Sequence, residues 1–89
     1  MVDKRTLIVE IKEHLTSAHG QCIIAPRWNV ETAKKQLAQA IKKAKEFEDN
    51  DARKDLLVQI RMALSYVNSN NPKEADKRIV NANDALSRI

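Results

Sequence analysis

Glu10, His14, His19 and Cys22 form the one cluster of metal-ligand and nucleophile types in the sequence. The four-residue step from Glu10 to His14 puts both on one helix face, where they could share a ligand. Structural zinc, however, draws on several thiolates or paired histidines, and this spacing matches no zinc finger. The cluster therefore reads as a polar helix face followed by a small buried thiol. Cys22 as a nucleophile with His19 as its base would need thiolate activation and an oxyanion site, and neither is evident. A phosphate-accepting His19 fails for another reason, because it precedes Gly20 at an expected helix end instead of lying along a bundle face.

Asp49, Asp51 and Asp55 raise the question of calcium. The segment lacks the central glycine and terminal glutamate of an EF-hand, and Arg53 and Lys54 would repel the ion. Negative charge there has a simpler role near the start of a helix. Since no set of residues supplies nucleophile, base and charge stabiliser together, the sequence is read as non-enzymatic, with no catalytic residue, metal site or cofactor.

Charge is the more informative pattern. The net charge of +4 is unevenly placed. Residues 27–45 hold Arg27, Lys34, Lys35, Lys42, Lys43 and Lys45 against Glu31, for +5, whereas residues 46–55 carry −3. Lys35, Gln39, Lys42 and Glu46 follow one helical row flanked by Lys34 and Lys45. Such a row is either a solvated face or a docking surface for an acidic or phosphate-bearing partner, with affinity from counterion release and no base reading. Trp28, between Arg27 and Asn29, is expected to staple the first turn of the following helix, although Trp and Arg also anchor interfaces. The candidate partner-binding residues are Arg27, Trp28, Lys34, Lys35, Lys42 and Lys43. Interleaved aromatic residues for stacking on single strands are missing, as is the tight turn of a helix-turn-helix.

These residues must be positioned by helices. The chain has 89 residues with one Gly, two Pro, one Cys and 3% aromatic residues, too few breakers and rings for a sheet protein. Leu7, Ile8, Ile11 and Leu15 predict a first helix capped by Asp3 with a Val2–Leu7 staple, ending near Ala18 where Gly20 takes the left-handed conformation. Residues 19–29 are then a loop in which Cys22, Ile23 and Ile24 plug the core. A second helix starts at Asn29 and buries Val30, Ala33, Leu37, Ile41, Ala44 and Phe47. A third is capped by Asn50 or Asp51 and buries Leu56, Ile60, Ala63 and Val67, widened by Leu57 and Leu64. The fourth starts at Asn71, with Pro72 first in the helix and Glu74 three residues after the cap, and buries Ala75, Ile79, Ala82, Leu86 and Ile89.

Residues 62–86, MALSYVNSNNPKEADKRIVNANDAL, resemble the junction of two tetratricopeptide repeats in their ALxY pattern before an Asn-Pro turn. The Trp, Leu-Gly and Tyr positions that define the repeat are absent, leaving generic antiparallel-helix grammar. The expected fold is all-α, a single small antiparallel bundle of three main helices and a shorter N-terminal one. With no apolar run of 18 residues, charges through MVDKRTLIVEIKEHL and a lone cysteine, a cytoplasmic protein without a membrane partner is expected. A chain this small gains from association, so the function reads as a non-catalytic binding or regulatory module acting on another protein or a second copy. A nucleic-acid or nucleotide-phosphate binder using the basic second helix is the alternative.

Overall fold

A computed structural model describes residues 3–23 and 30–89, the backbone alone for residues 21–23. Four helices make up 85% of it: α1 (Lys4–Ile23), α2 (Val30–Ala44), α3 (Asp51–Asn68) and α4 (Pro72–Ser87). Each packs against its neighbours in chain order, and α1 also packs against α4, so the four close into a ring. Glu10–Lys43 and Asp55–Arg88 each join the first half of one helix to the end of the next, and His19–Asp76 joins the last part of α1 to the first part of α4, so the helices in each of these pairs run antiparallel. The result is an all-α up-down-up-down bundle, 40 × 20 × 17 Å.

Local chemistry explains most helix ends. The Asp3 carboxylate accepts the Arg5 amide at 3.1 Å and caps α1, while Val2, its expected staple, lies outside the described residues. Asn50 caps α3 by accepting the Arg53 amide at 2.8 Å. At the α3–α4 turn Asn70 takes the left-handed conformation, φ 59°, which closes α3 in a Schellman motif. The Asn70 amide then donates to the Val67 carbonyl at 3.0 Å, and the Asn71 amide to Tyr66 at 2.8 Å. The Asn71 side chain in turn accepts the Glu74 amide and caps α4, with Pro72 at the first helical position.

The N-terminal helix differs from the sequence expectation. It does not stop near Ala18 but continues through Gly20 to Ile23, which makes it the longest of the four at 20 residues. Gly20 is helical and not left-handed, since no described glycine has positive φ. A glycine costs about 1 kcal/mol in a helix interior, and the burial of Leu7, Ile11, Leu15 and Ala18 along α1 offsets that. Residues 19–23, expected as the start of a loop, are therefore helix, and Cys22 and Ile23 of the expected core plug lie on α1. The Asn29 cap and Ile24 lie outside the described residues.

Nineteen described residues form one apolar core, with no buried polar or charged residue among them. The expected faces are correct: Leu37, Leu56, Ile60, Val67 and Ile79 are fully buried. Ala18, Ala40 and Ala85 join the core unanticipated, while Ile8, Val30, Ile41, Leu64 and Ile89 are only half-buried at its edge.

Three measurements check this architecture. Circular dichroism should give a helical content above two-thirds of the chain. Replacing Leu37, Ile60 or Ile79 with Ala should each cost about 2 to 5 kcal/mol in denaturant unfolding, and near-neutral values at all three would contradict the core. Gly20→Ala should raise stability by roughly 0.5 to 1 kcal/mol, because a Cβ there meets nothing within 4 Å and the helix loses its most flexible residue.

Candidate functional site

The sequence cluster on α1 is dispersed by the fold. Glu10 accepts from the Lys43 ammonium of α2 at 2.7 Å, His14 pairs through Nδ1 with Gln36 Oε1 of α2 at 2.6 Å, and His19 pairs with Asp76 of α4. Helical phase sends Glu10 and His14 to one flank of α1 and His19 to the other, so the three face different partners. No group of three or more His, Cys, Asp or Glu gathers among the described residues.

A cavity of about 350 Å³ opens at the end of the bundle where α1 begins and α4 finishes. It is lined by Lys4, Leu7, Glu46, Phe47, Glu48, Asn50 and Ile89. Its polar groups are one ammonium, two carboxylates and an amide, with no hydroxyl, thiol or imidazole to serve as nucleophile or proton shuttle. The acidic residues beyond it are partly neutralised: Asp49 pairs with Arg53 at 3.4 Å, and Asp55 with Arg88.

The basic helix retains its charge on the outside. Lys35, Gln39, Lys42 and Glu46 are all exposed, as the row predicted, and Lys35 and Lys42 form no ion pair with a described residue. Lys34 is half-buried and reaches Glu31 at 3.9 Å. Lys43 leaves the candidate set. It points along the flank toward α1, where its bond to Glu10 makes it a link between helices and not a free cation. Arg27 and Trp28 lie outside the described residues. The chain matches no family model, no curated protein and no solved structure.

The bundle geometry extends the cationic surface beyond α2. Lys43 and Gln36 fix the flank of α2 that faces α1, so Lys34 and Lys45, on the opposite flank, face α3. Asp55, Gln59 and Tyr66 fix the flank of α3 that faces α4, through Arg88, Asn81 and Arg78 respectively. Lys54 and Arg61, seven residues apart and both exposed, therefore lie on the outer face of α3 on the side toward α2. Charge totals along the sequence hid these two, because Lys54 sits in an acidic run; their seven-residue spacing is the signal that could have found them.

The Glu10–Lys43 bond has a measurable signature. Its hydrogen bond holds the Lys43 ammonium above the ordinary 10.5; this outweighs the desolvation that pulls it down, and the charges of Glu10 and Glu46 add to the rise. A raised folded value means the stabilisation is complete below the unfolded pKa and is lost as pH climbs through the folded one. The stability difference between wild type and Lys43→Met should thus stay level from neutral pH to about pH 9 and shrink above roughly 10.5. A difference that grows with alkalinity would contradict the pairing.

Proposed function

We propose that this chain is a non-catalytic binding or regulatory module that engages another protein through a helical face. The observation that carries the reading is the exposed row of Lys35 and Lys42 on α2, left without an ion-pair partner among the described residues while Glu10, His14, His19 and Lys43 are engaged between helices. Cations of that kind raise encounter rates with acidic surfaces and choose among partners more than they add raw affinity. The large exposed apolar side chains among the described residues, Val9, Val58 and Val80, sit one each on α1, α3 and α4 and form no continuous apolar seam there, so a different protein is favoured over a second copy as the partner. No described helix is long and apolar enough to cross a membrane, which accords with a partner met in the cytoplasm.

The same lysines support a second reading, a binder of nucleic acid or phosphate groups, since each ammonium can neutralise a phosphate without reading sequence. Affinity capture with tagged protein from nuclease-treated and untreated lysate separates the two. A protein partner should survive nuclease and be retained at least ten-fold less by Lys35→Glu/Lys42→Glu. Capture that vanishes with nuclease would overturn the protein reading in favour of phosphate binding. A turnover activity that survives mutation of both lysines would overturn both.

A further inference from the structure

Three of the four helix–helix seams are closed on the outside by polar side chains. Glu10–Lys43 and His14–Gln36 join α1 to α2, His19–Asp76 joins α1 to α4, and Asp55–Arg88 with Gln59–Asn81 joins α3 to α4. Between α2 and α3 no ion pair crosses among the described side chains. That seam instead sets like charges against each other, Lys34 and Lys45 on one side and Lys54 and Arg61 on the other. Lys45, just past the end of α2, keeps the helical register by donating to the Ile41 carbonyl at 3.2 Å. Half-buried Ile41 and Leu64 form the floor between the two rows. Lys34 also reaches Glu31 on its own helix, but Lys45, Lys54 and Arg61 form no ion pair with a described residue. Cations flanking the apolar floor therefore repel one another in the free protein, and an anionic occupant relieves that repulsion.

The length of the cationic stretch decides which anion. Lys34 and Lys45 are eleven residues apart, about 16 Å along the helix, and Lys54 and Arg61 about 10 Å. Carboxylates bound the stretch at both ends, exposed Glu31 at one and exposed Glu46, Glu48 and Asp51 at the other. A nucleic-acid duplex lying along the seam would drive its next phosphates onto those carboxylates. A short protein segment would not, because residues beyond its acidic part are free to be neutral or basic. A duplex would also leave the apolar floor uncovered, whereas an amphipathic helix lays its apolar side into such a groove.

We propose that the α2–α3 seam is a docking groove for a short acidic amphipathic segment of a partner protein, about three helical turns long, whose carboxylates meet Lys34, Lys45, Lys54 and Arg61 while its apolar side covers Ile41 and Leu64. This rests on the binding-module reading and adds, beside the Lys35 and Lys42 row, one seam and one partner chemistry.

Fluorescence anisotropy with the full chain tests it, using three labelled probes: a synthetic amphipathic Glu/Leu helical peptide of about three turns, the same peptide with Lys in place of Glu, and a short DNA duplex. The Glu/Leu peptide should bind saturably, more tightly than either other probe, and more weakly as salt rises. Lys54→Glu/Arg61→Glu should weaken it at least ten-fold. Lys12→Glu/Lys73→Glu, an equal charge change on exposed residues of α1 and α4, should leave it within two-fold. Thermal melts identify any variant that has lost its fold, and Lys54→Gln/Arg61→Gln then replaces the reversal, with a smaller loss in the same direction.

Equal weakening by both reversals would reduce the effect to bulk charge and overturn the groove, as would no binding of the Glu/Leu peptide. Tighter binding of the duplex, lost on the Lys54/Arg61 reversal, would assign the seam to phosphate. The module reading fails separately. If the partner captured from nuclease-treated lysate is retained by Lys54→Glu/Arg61→Glu, the module stands and this groove does not; if wild type captures no partner at all, the module itself falls.

Discussion

The bundle is organised by an apolar interior that admits no polar or charged side chain among the described residues. Eight of its nineteen members are alanines, which contribute little side-chain entropy cost and let the helices lie close. A core built this way cannot accommodate an ionisable group without a large desolvation penalty. Ionisable side chains on a helix flank are therefore pushed to the rim of a seam, where several of them meet a partner from the neighbouring helix. The pairs of α1 follow from that displacement. The two histidines and Glu10 act as rim fasteners because the interior refuses them and the adjacent helices offer Gln36, Asp76 and Lys43 in register.

The unfastened α2–α3 seam stands out against that pattern. Arg53 reaches back to the Lys45 carbonyl at 3.4 Å, but this contact belongs to the hairpin turn and leaves the rest of the seam's rim open. Elsewhere opposite charges meet or neutral amides fill the space, while here two rows of the same sign coexist because water and salt screen them. Stability does not require the arrangement; the apolar contacts of Leu37, Leu57 and Ile60 hold the two helices together regardless. Surface cations that do not serve the fold are what a recognition surface would retain.

Much of this architecture was legible in the chain because its signals are local. Asn50 and the Asn71-Pro72 pair announce their helices within four residues, and the apolar periodicity of α2, α3 and α4 names most of the buried side chains. Gly20 misled because its conformational freedom permits a left-handed stop without requiring one, and a long helix with four buried apolar residues absorbs the cost of keeping it helical. The site was harder to read. That Lys43 belongs to Glu10, thirty-three residues away, depends on which flank of α2 faces α1, and that Lys54 joins Lys45 depends on the ring order of the helices. Neither relation has a trace in spacing along one segment.

The turn between α3 and α4 has a consequence for the order of events in time. Asn71 closes one helix with its amide and opens the next with its side chain, so the two helices are joined with almost no slack. Bringing them together closes a loop of a few residues, whereas the α1–α4 seam joins His19 to Asp76, 57 positions apart. Loop-closure entropy rises with that separation, so the α3–α4 hairpin can assemble early and the ring is completed only when the N-terminal helix docks. Pulsed hydrogen exchange reads this order directly, and protection of α1 ahead of α4 would refute it. The α1–α4 seam, whose partners are farthest apart along the chain, is thus the one whose closure completes the ring.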